Sequence, residues 1–146
     1  QIADDFASEL EEEHPQKQKM RTFTSLQEFE KATGHIPYRL NDSDVAYETS
    51  KYQKTRQNEE WLFSYYLYKG SEIVTTQLWN PADNIENYAD ESFSEYDIGN
   101  DSTVYYTIDK YDQSKYGILQ LDDSILTIHA TVAISIDEFL ELFNKQ

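Results

Sequence analysis

From Glu60 to Lys69 the chain reads Glu-Trp-Leu-Phe-Ser-Tyr-Tyr-Leu-Tyr-Lys. Trp61, Phe63, Tyr65 and Leu67 fall on one alternate row, and Leu62, Ser64, Tyr66 and Tyr68 on the other. A helix, with period 3.6, would scatter these rings round its circumference, whereas a strand sorts them into two faces. A run this rich in aromatic side chains therefore commits the segment to a sheet. Lys69-Gly70-Ser71 makes a short turn and Ile73 to Trp79 returns, which predicts a β-hairpin.

The period of two recurs on both sides of this hairpin. Val45 to Tyr52 reads as a first strand, after a connector at 35–44. A loop from Asn80 to Asp90, containing Pro81, leads to a short strand near Phe93 to Ile98, and Gly99-Asn100-Asp101 turns the chain. Thr103 to Ile108, Tyr116 to Leu121 and Ser124 to Thr131 complete the strands, the last two joined tightly at Asp122-Asp123. Helical signals bracket them. In Phe23 to Gly34, Ser25 and Glu28 have capping-box spacing, Leu26, Phe29 and Thr33 share a face, and Gly34 is a stop. At the other end Ser135 and Glu138 repeat the box ahead of the stripe Ile136, Phe139, Leu140 and Phe143. The expected fold class is α+β: a twisted antiparallel sheet of about five to seven strands, with an N-terminal and a C-terminal helix packed on one face.

The 146 residues suit one domain. Charge is dense before residue 22, so residues 1–21 read as an acidic lead or connector and residues 22–146 as a single α+β domain. Ile2, Phe6 and Leu10 recur every four residues in a weak helical pattern, and His14 to Lys19 reads as a linker. Twelve Lys plus Arg against 28 Asp plus Glu leave a net charge of −16. That sign repels phosphate backbones and anionic headgroups, which argues against nucleic-acid partners and against docking on anionic lipid. With no cysteine there is no disulfide framework, zinc ribbon or thiol nucleophile. The apolar-leaning run from Ser124 to Ile136 is too short and mixed to cross a bilayer, so no membrane insertion by this segment is expected. Residues 1–20 carry acids where a signal peptide has bases, and the opening Gln1 reads as the start of a segment with something N-terminal missing, which leaves room for an upstream signal or anchor.

No catalytic residue, metal site or cofactor is assigned. Asp97, Asn100 and Asp101, or Asn41, Asp42 and Asp44, offer oxygens for calcium, but neither matches the EF-hand spacing and both read first as turn formers. His14, His35 and His129 lack metal or triad spacing, and the four glycines, Gly34, Gly70, Gly99 and Gly117, are too isolated to cradle phosphate. With 28 acids, chance carboxylate pairs are plentiful and none stands out. What invites a functional reading is the twelve tyrosines. Tyr joins an apolar body to a polar tip and suits a ligand groove, although its β-propensity also explains it on a half-wet sheet. Trp61, Tyr66, Tyr68, Tyr105 and Tyr106 are the residues expected to form a ligand-binding face.

The stretch Phe23-Thr24-Ser25-Leu26-Gln27-Glu28-Phe29-Glu30-Lys31-Ala32-Thr33-Gly34-His35-Ile36-Pro37-Tyr38 resembles the opening of a bacterial family of domains of unknown function. Members are typically the extracytoplasmic C-terminal part of membrane-anchored proteins in Gram-positive bacteria, some like anti-sigma factors and others like sporulation-type lipoproteins. Val104-Tyr105-Tyr106, Gly117-Ile118-Leu119-Gln120-Leu121 and Ser135-Ile136-Asp137-Glu138-Phe139-Leu140 are similar to its close, so the likeness spans residues 23–145. Residues 38–44 depart from it in lacking a Pro-rich Leu-Pro-Glu-Gly stretch. The resemblance implies a place outside the cytoplasmic membrane and a role in interaction or sensing, and it brings no catalytic residues. The expected function is a non-enzymatic extracytoplasmic binding or sensor domain that captures a peptide, cell-wall fragment or protein partner on a Tyr-rich sheet face. The alternatives are a protein–protein inhibitor or assembly module and an acid–base hydrolase with an unrecognised carboxylate site.

Overall fold

The computed structural model describes residues 20–40, 43–82, 85, 88–131 and 133–144. The helical pattern at 2–13, the linker at 14–19, and Asn41 and Asp42 lie outside the described residues. The chain runs β1 (Arg21–Phe23), α1 (Leu26–Thr33), β2 (Val45–Lys54), β3 (Glu60–Tyr68), β4 (Ser71–Trp79), β5 (Ser94–Gly99), β6 (Ser102–Ile108), β7 (Lys115–Gln120), β8 (Ser124–Ala130) and α2 (Ile136–Glu141), then a 3-10 turn at Leu142–Asn144. The strands form one antiparallel sheet in the order β1-β2-β3-β4-β8-β7-β6-β5. Two four-stranded meanders thus meet at the β4–β8 pair, and the segment between β4 and β5 carries the chain from the sheet centre to its far edge.

The α+β class holds, with two corrections. The sheet has eight strands rather than five to seven. The added one is β1, whose three residues are too few to display a period and which opens inside the stretch read as lead and helix. The helices also differ from the expected pair. A strand precedes α1, so it is not the N-terminal element, and neither helix can blanket a face. Eight residues of α1 reach about 12 Å, whereas eight strands at about 4.8 Å spacing span roughly 34 Å.

The helices instead seal separate parts of the core. Leu26 and Phe29 of α1 pack with Phe23, Leu62 and Trp79. Phe139 and Leu140 of α2, with Leu142 and Phe143, join Tyr38 and Leu40 of the connector over Tyr66, Tyr68, Ile73, Leu126 and Ile128. A bulge at Glu48, between the pairs Tyr47↔Tyr66 and Thr49↔Tyr65, keeps β2 in phase with this core. It switches the inward residues from odd to even, so Val45, Tyr47, Ser50 and Tyr52 all oppose core-side residues of β3. Several buried polar groups pair with one another: Gln77 accepts from the Tyr38 amide at 2.8 Å and donates to Ser124 Oγ at 2.8 Å, and the Ser50 and Ser64 hydroxyls meet at 2.7 Å.

Both expected helix starts are realised. Ser25 Oγ accepts from the Glu28 amide at 3.1 Å, and Gly34, at φ 82°, closes α1 by donating to the Glu30 carbonyl at 2.8 Å. In α2 the capping box between Ser135 and Glu138 is complete. The Glu138 carboxylate also accepts from the Tyr68 hydroxyl at 2.7 Å and from Lys69 at 3.2 Å, tying α2 to the β3–β4 turn. Hydrogen bonds from Tyr68, the Ser135 amide and Lys69 favour its charged form and hold its pKa at about 2, below the ordinary 4.5. The unfolded chain therefore takes up this proton first. The contribution of Glu138 to stability is full above about pH 4.5 and is lost as pH falls toward 2. In acid melts, the difference in Tm between wild type and Glu138→Gln is expected to shrink through that window; a pH-independent difference would remove this role.

Candidate functional site

Period two places the five ring-bearing candidates on opposite sides of the sheet. Tyr66 and Tyr68 point into the helix-sealed core at 2% and 7% exposure, and Tyr106 is half-buried against the same cluster. Trp61 and Tyr105 are half-buried on the helix-free face. Even these two are separated by β4, β8 and β7, a spread of about 19 Å at usual strand spacing. The five residues do not form one face. Tyr66 and Tyr68 are packing residues, because their strand alternates across a sheet that only one side of the chain's helices covers.

The helix-free face has its own aromatic grouping around Trp61. Trp61 and Phe63, two residues apart on β3, hold their rings nearly parallel, with centroids 6.1 Å apart and planes 6° apart. Next to them Leu78 and Ile125 form a buried floor, and Thr76, Thr127 and Tyr116 continue it across β4, β8 and β7. Tyr88, from the segment that crosses to β5, supplies the far wall of a crevice of about 220 Å³. Phe93 packs edge-on against Tyr116 at 6.2 Å. Lys51 lies 5.8 Å over the Tyr65 ring, setting a cation at one margin. The lining of the crevice contains no carboxylate among the described residues. It is suited to stacking and apolar contact with threonine hydroxyls at hand, and not to acid–base work.

Phe63, Tyr88, Tyr116 and Thr127 were not among the residues expected from sequence. Phe63 was legible, since it lies on the same alternate row as Trp61. Tyr116 and Thr127 come from strands about 55 to 65 residues further on, and no local pattern links them to Trp61.

A larger groove, about 700 Å³, runs along the end of the sheet between the connector at Ile36–Tyr38, the β5–β6 turn and the β7–β8 turn. Its deeper polar side chains are engaged with one another: Gln77 with Ser124, Ser124 with Asp123 at 2.9 Å, and Asp123 with the Trp79 indole at 3.3 Å. They brace the β7–β8 turn against β4 and are spent on one another.

Most of the remaining sequence candidates serve turns or packing. Asp97 Oδ1 accepts from the Gly99 amide at 2.7 Å, and Asn100 and Asp101, both at positive φ, form the tight β5–β6 turn. Among the described residues no three His, Cys, Asp or Glu side chains gather as metal ligands. His35 stacks on Trp79 at 4.5 Å and bonds Glu60 at 3.0 Å, which makes it a packing histidine. His129 is exposed on β8, opposite Val74 and Tyr116.

No protein-family model matches the chain, and neither the curated proteins nor the solved structures contain a significant match. Among the described residues no helix is long and apolar enough to cross a membrane.

Proposed function

We propose that this chain is a non-enzymatic binding or sensor domain acting outside the cytoplasmic membrane, and that it captures a peptide, cell-wall fragment or protein partner on the helix-free face. The observation that carries this reading is the parallel Trp61–Phe63 pair beside the crevice walled by Tyr88 and Tyr116. Aligned, half-exposed rings over an apolar floor give a ligand large contact area for little loss of side-chain freedom. The binding residues in this reading are Trp61, Phe63, Tyr88 and Tyr116, with Tyr105 at a distant margin. The resemblance over residues 23–145 supports the extracytoplasmic setting, which requires an upstream signal or anchor in the full gene product.

Trp61→Ala is expected to weaken capture by at least about tenfold, the scale of an interface anchor, while shifting Tm little because the ring is only half-buried. Binding to a panel of synthetic peptides and purified cell-wall fragments, measured by isothermal titration calorimetry, checks this. Capture that survives both Trp61→Ala and Phe63→Ala would remove the face from the reading.

A protein–protein assembly role draws on β5, which is exposed along almost its whole length at the sheet edge. Glu95 and Asp97 lie on that edge, and charges placed so oppose pairing with a further strand. The aromatic face is therefore the better-supported surface.

A further inference from the structure

On the helix-bearing side, where the start of α1 meets the connector, a pocket of about 320 Å³ is lined by Ser25, Leu26, Gln27, Arg39, Tyr47 and Tyr66. It draws hydrogen-bond donors from three sources. The first is the N-terminus of α1. Ser25 Oγ serves the Glu28 amide, and the Leu26 and Gln27 amides stand in the first turn, where the helix offers them no acceptor and its dipole is positive. The second is Arg39, whose guanidinium donates to Glu30 through Nη2 and carries more N–H groups than that one carboxylate oxygen takes. The third is independent of both. Tyr66 is 2% exposed, and its hydroxyl is the one buried side-chain polar atom among the described residues with no well-formed hydrogen bond, the Leu40 backbone lying near it without closing one. An orphan of this kind is costly in a folded protein and calls for a partner. Burial pushes the Tyr66 pKa up to about 12, so it is protonated, and able to donate, at neutral pH.

We propose that this pocket is a binding site for a carboxylate-terminated ligand, with the carboxylate at the Leu26 and Gln27 amides, Arg39 and the Tyr66 hydroxyl. Donors converging from three sources suit an oxyanion, and the planar guanidinium fork matches a carboxylate. Leu26, Leu40 and the Tyr47 ring give the pocket apolar walls for a small hydrocarbon group attached to it. The chain's charge of −16 decides between oxyanions, since it opposes a phosphate dianion about twice as strongly as a singly charged carboxylate. The nearby acids are already engaged: Glu28 accepts from the Thr24 amide and hydroxyl at 3.1 and 3.0 Å, and Glu30 is held by Arg39. The site lies on the opposite side of the sheet from the Trp61 crevice and does not depend on it.

Acetate is the simplest probe. The Leu26 and Gln27 amide resonances are followed by NMR as acetate replaces chloride at constant ionic strength, with inorganic phosphate in a parallel series. Saturable acetate shifts at both amides are expected. Arg39→Gln should weaken binding by at least about tenfold, and Arg39→Lys by less, because Lys keeps the charge but loses the fork. Glu30→Gln should tighten binding about threefold by removing the competing carboxylate. Tyr66→Phe should weaken acetate binding yet raise Tm, since it deletes an unsatisfied buried hydroxyl; a purely structural Tyr66 would leave acetate affinity unchanged. The proposal is overturned if acetate gives no saturable shift, if Arg39→Gln leaves affinity intact, or if phosphate binds more tightly than acetate.

Discussion

Trp79→Ala is expected to lower the unfolding free energy by about 3–5 kcal/mol, the range for removing a buried large aromatic side chain. Trp79 is 2% exposed at the end of β4. Its indole stacks on Phe29 of α1 at 5.5 Å and on His35 at 4.5 Å, and its N–H reaches Asp123 of the β7–β8 turn at 3.3 Å. One ring thus holds the first helix, the connector and the second meander together. Its loss opens a cavity beneath α1 that eight residues of helix cannot collapse to fill. Urea denaturation followed by far-ultraviolet circular dichroism measures the effect as a lower midpoint at unchanged slope. A loss below about 1 kcal/mol would mean that the small core around Phe29 does not anchor α1. Trp61→Ala provides the contrast, with an expected effect on capture and little on stability.

Gly117→Ala is expected to destabilise by about 1–3 kcal/mol, the cost of overpacking a filled core. Gly117 lies in β7, where Ala is usually neutral or favourable because it lowers the freedom of the unfolded chain. Packing reverses that sign. A Cβ would sit 2.7 Å and 3.0 Å from two ring carbons of Phe143 and 3.1 Å from Phe139. Both rings are fully buried and packed edge-to-face at 5.5 Å, so neither can withdraw without lifting the C-terminal turn off the sheet. Thermal melts of Gly117→Ala, Phe143→Leu and the double variant separate the terms. The double variant should be more stable than the sum of the single effects predicts, because the shorter side chain removes the clash. Simple additivity would show that the glycine is not there to admit Phe143.

Much of the fold was legible because its determinants are local. Seven strands follow from alternation over six to ten residues, and both helix starts follow from a Ser and a Glu three residues apart. β1 was not legible, since three residues carry no period and its pairing with β2 joins Phe23 to Ser50 across the first helix. The bulge at Glu48 was equally hidden: it changes which residues of β2 face inward, and only the register against β3 reveals it. For the binding face, the sequence separates Trp61 from Tyr66 and Tyr68 by parity alone, yet says nothing of which row the helices cover. Grouping the five rings for their chemistry therefore mixed the two sides of the sheet.

Sequence by itself determined the antiparallel hairpins, the helix caps and the acidic balance, because these depend on neighbours a few residues apart or on summed charge. Tertiary structure decided the rest: that Tyr66 and Tyr68 are buried, that Trp61 and Phe63 lie on the uncovered face, and that Tyr66 and Arg39 line one pocket at the start of α1. The reason is that covering a face requires contacts far apart in the chain. Phe29 must reach Trp79, and the Tyr38 hydroxyl must bond the Leu142 carbonyl, 104 residues away. A strand's alternation defines two faces and is symmetric between them; only the helices that settle on one leave the other uncovered.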